Sequence, residues 1–289
     1  MGRKGGKLNT RKKEGLVIKV LKASGEYEPF SEEKVRSSLE RAGAESKLIE
    51  KIIHSLKGEL YEGISTKEIY AYVFKLLKKA ESPLVSKYNL KQAIMELGPT
   101  GYPFEKFVGG ILENEGYQVE IGQIVQGKCI SHEIDVIAQK ENEHYMVECK
   151  FHNQPGTKSD IKVALYTYAR FLDVTQAWVE IAGHKEKFHQ AWLVTNTKVT
   201  SEVKDYARCV GLKVISWDYP IEGSLRFLIE KSGLHPVTCL NSLNQSEKRK
   251  LLEKGIVFCR DLIDKEIDFL PAVLIEKAKK EALGVCGHE

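Results

Sequence analysis

Asp135, Glu148 and Lys150 are three ionisable residues placed inside two short apolar runs, 134–138 and 146–150, separated by the polar stretch 139–144. Read as a β-hairpin centred between Glu141 and Asn142, partner numbers sum to 283, which puts Asp135 opposite Glu148. Directly opposed residues project from one face, and Lys150, two residues on, shares it. Two hard oxygen donors, together with the Cys149 carbonyl, form an open site for Mg²⁺ or Mn²⁺, which keeps water and accepts a phosphate oxygen. Such an ion activates water and offsets charge developing on a phosphorane, and a lysine beside it stabilises the same charge. Glu105, on the helix expected just upstream, adds a third carboxylate if that helix packs beside the hairpin.

These residues need an α/β frame. The spacing predicts a helix over 103–115 ended by Gly116, strands at 117–124, 133–138 and 145–150, and a helix over 160–172. A strand at 191–195, a helix over 201–210 and a strand at 212–217 complete a unit of 98–222. Upstream, 15–97 reads as a small helical domain. A strand from Leu16 turns at Ser24-Gly25 towards Tyr27 and Phe30, and four helices follow. Ser31 caps the first, the second covers 48–60, Ser65 and Glu68 form a capping-box pattern before the third, and Ser82-Pro83 opens a fourth reaching Leu97. Residues 223–289 are helical again, with Leu251, Leu252, Ile256, Leu262 and Ile263 as core and Gly255 as a turn. Residues 1–14 form a basic arm without periodicity.

The order Phe104-Glu105, Gly116-Tyr117-x-Val119, Asp135-x12-Glu148-x-Lys150, Leu193-Val194-Thr195-Asn196, then Tyr206-Ala207 and Val214-Ile215 resembles the PD-(D/E)xK nucleases. More narrowly, it is similar to the Mrr-type restriction endonucleases. Ile134 stands where the family name has Pro. The resemblance implies Mg²⁺-dependent hydrolysis of DNA phosphodiesters, with Asp135 and Glu148 as metal ligands, Lys150 as catalytic lysine and Glu105 as accessory acid. The amino-terminal stretch Val20-x-Lys22-Ala23-Ser24-Gly25-x2-Glu28-Pro29-Phe30-x3-Lys34 resembles the ATP-cone, a regulatory nucleotide-binding domain. That resemblance implies ATP or dATP bound with Lys22 and Lys34 at the phosphates and Val20 and Phe30 near the base. The family usually carries Arg-Asp where this chain has Ala23-Ser24, and Arg where it has Asn89. The carboxyl-terminal helices faintly resemble a helix-hairpin-helix unit, although an ordinary amphipathic pair fits them equally.

Of 44 Lys+Arg and 40 Asp+Glu, six bases and no acid lie in residues 1–13, so the remainder holds 38 against 40. A uniformly basic coat is therefore excluded as the basis of function. No run approaches a membrane span, and the six cysteines, spaced by 20 or more, suit a reducing cytoplasm. Gly156-Thr157-Lys158-Ser159 lacks P-loop spacing, and His132, His184 and His189 lack the partners of a zinc site. Tyr166, Tyr168 and Phe171 are expected in the core or an interface, while Lys158, Lys162 and Arg170 are placed to track phosphates. The expected protein is an α/β, nucleotide-responsive DNA endonuclease, a homo-oligomer because paired-strand cleavage by a one-site fold most simply uses two subunits. A non-cleaving DNA-binding regulator and a junction resolvase are the alternatives.

Overall fold

The computed structural model describes residues 18–79, 82–180 and 188–287; the basic arm and His184 lie outside them. Strands β1 (Lys19–Leu21) and β2 (Tyr27–Pro29) pair antiparallel, with Val20 opposite Glu28. Gly25 closes the turn with a φ of 84°, a conformation that favours glycine. Helices α1 (Glu32–Arg41), α2 (Ser46–Glu59), α3 (Thr66–Leu77), α4 (Ser82–Tyr88) and α5 (Leu90–Met95) follow. The Ser31 hydroxyl accepts the Lys34 N–H, and Ser65 and Glu68 close a capping box, as the sequence predicts. The single helix expected from 82 to 97 is broken at Asn89, which is buried and accepts the Tyr70 hydroxyl. Val20, Leu39, Ile52, Leu56, Val73 and Leu77 form the core of this unit.

The second unit opens with α6 (Tyr102–Asn114), then β3 (Gln118–Gln126), β4 (Ser131–Lys140) and β5 (Glu143–Lys150). It continues through β6 (Lys158–Ser159), α7 (Ile161–Glu180), β7 (Phe188–Thr195), β8 (Lys198–Val199), α8 (Ser201–Val210) and β9 (Lys213–Ile215). The main sheet runs β3-β4-β5-β7-β9, antiparallel through β5 and parallel from β5 to β9. Burial on both faces explains the apolar density of β5 and β7. Val136, Ala138, Val147, Trp192 and Val194 pack in the core that holds α6, whereas Met146, Ala191, Leu193 and Val214 pack in the core that holds Val174, Val203 and Ala207 of α7 and α8. Helix α7 runs on to Glu180, past the end predicted at 172, because Val174 is drawn into that core.

The carboxyl-terminal helices α9 (Leu225–Ser232), α10 (Gln245–Glu253), α11 (Cys259–Asp264) and α12 (Ala272–Cys286) pack on the α6 side of the sheet. Phe258 stacks on Phe107 at 5.0 Å, over Gly110, where a Cβ would lie 2.4 Å from the Phe258 ring. This region thus shares the nuclease-like unit's core. The buried Glu281 carboxylate also binds the cone, accepting the Ser86 hydroxyl at 2.6 Å along with the Asn241 and Ser242 N–H groups. Among the described residues no helix is long and apolar enough to cross a membrane.

Candidate functional site

The hairpin has the expected register: Val136 pairs with Val147, Ile137 with Met146 and Gln139 with His144, each pair summing to 283. The ladder stops at Val136–Val147, one step short of Asp135 and Glu148. On its other side the β3–β4 ladder skips the pair that Asp135 would make with Gly122, whose φ is 65°. Ile134 packs in the α7–α8 core and Val136, two residues on, in the α6 core, so the strand's alternation breaks at Asp135. The Asp135 carboxylate then accepts the Cys149 N–H at 2.7 Å. An irregularity in the middle of β4 thus frees a carboxylate from the pleat and aims it across the hairpin.

Glu148 is 8% exposed and is held from α7. Its Oε1 accepts the Tyr166 hydroxyl at 2.8 Å, and its Oε2 pairs with Arg170 at 2.5 Å. Lys150, half-buried at the end of β5, enters no ion pair among the described residues. Burial, the Glu148 charge and, more weakly, Glu105 push the Asp135 carboxyl up to about 7, against the lowering effect of the Cys149 N–H. Glu105 lies in the first turn of α6, and burial with the Glu133 and Glu148 charges raises its pKa too. The three acids therefore feel one another, although no three His, Cys, Asp or Glu side chains among the described residues gather into a metal cage. Of the two other acids, Glu148 acts more strongly on Asp135 than Glu105 does, and a carboxylate oxygen that accepts one hydrogen bond keeps a further lone pair. A two-carboxylate set with mutual repulsion suits a hydrated hard cation, so these residues would fit Mg²⁺ or Mn²⁺.

In the cone, Val20, Phe30 and Lys34 line one cavity of about 160 Å³ with Ile69, Tyr70 and Tyr88. Lys22 does not line it. Its ammonium pairs with Glu28 at 2.6 Å, and Lys34 takes the other oxygen of the same carboxylate at 3.0 Å. Both lysines hold Glu28 below the usual carboxylate range. Asn89, at the position of the family arginine, turns inward to Tyr70 and presents no charge.

Two residues of the acid site differ from the sequence expectation. Tyr166 is expected in a core or interface and Arg170 at phosphates, yet both grip Glu148. Their signal is the i,i+4 spacing on α7, visible only once the helix is known to lie across β5. A family model for ATP cone domains matches residues 18–90, a restriction endonuclease model matches 98–220, and an AF1548-like C-terminal model matches 235–284. The chain is 44% identical over 153 residues to an uncharacterized protein of Archaeoglobus fulgidus, spanning 53% of this chain and 82% of that one. A crystal structure of a protein of unknown function, AF1548, is similar at a TM-score of 0.55 and 38% identity, over 66% of this chain and 100% of that one.

Proposed function

The chain belongs to the AF1548-like family of restriction-endonuclease-like proteins, here preceded by an ATP cone, and we propose that it is a divalent-metal-dependent DNA endonuclease whose activity responds to ATP or dATP. One observation carries the reading. Asp135 and Glu148 are presented together at an interrupted ladder, with Lys150 at the end of the same strand.

Asp135, Glu148 and the Cys149 carbonyl would hold Mg²⁺, which would supply Lewis acidity and charge neutralisation at the scissile phosphate. The remaining roles belong to side chains. The Cys149 N–H fixes the direction of the Asp135 carboxylate. Tyr166 and Arg170 fix Glu148, and their donor atoms leave its other lone pairs for the ion. Lys150, without an ion-pair partner among the described residues, offers its ammonium to a non-bridging phosphate oxygen as negative charge builds there. Glu105, with its raised pKa, can accept a proton near the site. In the cone, Val20 and Phe30 receive the base and Lys34 and Lys22 the phosphates.

The deciding assay is plasmid nicking by the full chain with Mg²⁺ or Mn²⁺, with and without ATP or dATP. Cleavage by wild type and its loss in Lys150→Ala and Asp135→Ala are expected. No cleavage of plasmid, linear duplex or junction DNA with either metal would refute the enzyme. If instead DNA binds tightly while Mg²⁺ affinity does not depend on Glu148, the chain is a non-cleaving regulator.

A further inference from the structure

A second, larger cleft lies between the cone and the nuclease-like unit, with a volume of about 370 Å³. Lys22 and Thr66 line it from the cone, Lys91 from α5, and Lys158, Lys198 and Trp217 from beyond it. Four lysines thus face one lining acid, Glu26. Lys158 and Lys198 are register partners on the parallel strands β6 and β8. Like charges directly opposed on paired strands repel. Lys198 is relieved by Asp218 at 2.6 Å, whereas Lys158 has no acid partner among the described residues. Lys91 lies over the Trp217 ring at 4.4 Å and donates to the Asn196 carbonyl, with the Asp218 charge nearby but not in a direct ion pair with it. Burial lowers its pKa to about 7. Lys22 and Lys198 are thus answered by Glu28 and Asp218, and Lys158 is a cleft lysine with no ion-pair partner among the described residues.

The cone cavity has the opposite character. It is lined mainly by apolar and aromatic groups, and its volume of about 160 Å³ is well under the few hundred Å³ typical of a whole-ligand pocket. Thr66, in the first turn of α3, lines both spaces. Glu28 links them as well, since it pairs with Lys34 on the cavity side and Lys22 on the cleft side. The two units touch at this point. Gly156, at a φ of 87°, lies so close to the Ala23–Ser24 turn that a Cβ would fall 2.7 Å from the Ala23 carbonyl carbon.

We propose that the nuclease-like unit completes the nucleotide site: the base sits in the cone cavity and the polyphosphate extends into the cleft, where Lys158 and Lys198 join Lys22 in binding it. This rests on the reading that the cone holds a nucleotide, and deepens it. Binding energy drawn from both units makes the ligand sensitive to their relative position, which is what coupling between sites requires.

The test is calorimetric titration of the full chain with ATP, AMP and adenosine. Lys158→Ala is expected to weaken ATP by about tenfold, the usual size of one charge-assisted contact. Adenosine affinity should stay unchanged in that variant, and Lys158→Arg should restore ATP binding. Lys198→Ala is expected to act in the same direction. If Lys34→Ala weakens ATP while Lys158→Ala and Lys198→Ala do not, the cone binds nucleotide alone and the proposal is overturned. It is overturned equally if the two variants weaken duplex DNA binding and leave ATP untouched, because the cleft is then a DNA surface. Absence of any nucleotide binding by wild type removes the cone reading itself.

Discussion

Replacing Asp135 by Asn should stabilise the metal-free protein, and by more at pH 8 than at pH 5. An aspartate titrates near 3.8 when unfolded, and in the folded site it is pushed up to about 7. The folded state therefore holds its proton more tightly, so stability is fully present below the unfolded value and falls as pH rises towards 7. Each tenfold gain in proton affinity corresponds to about 1.4 kcal/mol, which gives a ceiling of about 4 kcal/mol at pH 8. At pH 5 only the interval above 3.8 counts, under about 2 kcal/mol. Solvent reaches part of this carboxyl, so about half the difference, on the order of 1 kcal/mol, is the expected gap between the two pH values. Asn keeps the oxygen that accepts the Cys149 N–H, so geometry is preserved while charge is removed. Urea unfolding of both proteins in chelator, at pH 5 and pH 8, measures the gap as a double difference that cancels the titrating groups remote from this acid cluster. Saturating Mg²⁺ at pH 8 should erase the wild type's disadvantage. An equal gain from Asp135→Asn at the two pH values would refute the claim that crowded carboxylates set this site.

Two other substitutions probe what holds the machinery. Arg170→Met leaves the buried Glu148 with the Tyr166 hydroxyl alone, and should cost about 3 kcal/mol in chelator. Mg²⁺ should recover part of that loss in a thermal melt, and no loss at all would mean the ion pair does not hold the acid. Glu281→Ala removes the acceptor shared by Ser86, Asn241 and Ser242, and should destabilise by about 2–4 kcal/mol as buried donors lose their partner. Faster limited proteolysis between the cone and α6 would register the loosened docking; an unchanged cleavage rate would show that other contacts suffice.

What the sequence made legible follows the range of the forces involved. Turn chemistry and strand alternation are local, so the register summing to 283 and the Ser65–Glu68 capping box are readable from spacing alone. Asp135, Glu148 and Lys150 can be grouped because a hairpin converts spacing in sequence into proximity. The partners of Glu148 cannot, because Tyr166 and Arg170 arrive from a helix whose crossing over β5 depends on packing of Val174 and Ala164 in a shared core. Asn89 misleads for a related reason: propensity favours a continuous helix, and only the buried bond from Tyr70 explains the break. The Ala23–Ser24 departure from the cone pattern reads in sequence as a loss of charged groups. In the fold it supplies a small turn against which Gly156 can rest.

Charge behaves in the same way. From residue 14 on, acids outnumber bases by two, which by itself argues against a polyanionic partner. At physiological salt, however, exposed charges are screened beyond about 8 Å, so a phosphate responds to its immediate surroundings and hardly at all to the total. Those surroundings differ sharply over a short distance. Lys150 is the register partner of Thr195 at the end of β7, and Lys198 follows three residues later. The acids of β4 and β5 and the lysines of the separate β6–β8 ladder are therefore joined through the end of β7. In open α/β sheets the carboxyl ends of the parallel strands are where ligands bind. Local gatherings of acid and base cancel in a net charge of nearly zero, and that cancellation is what hid both of them from composition.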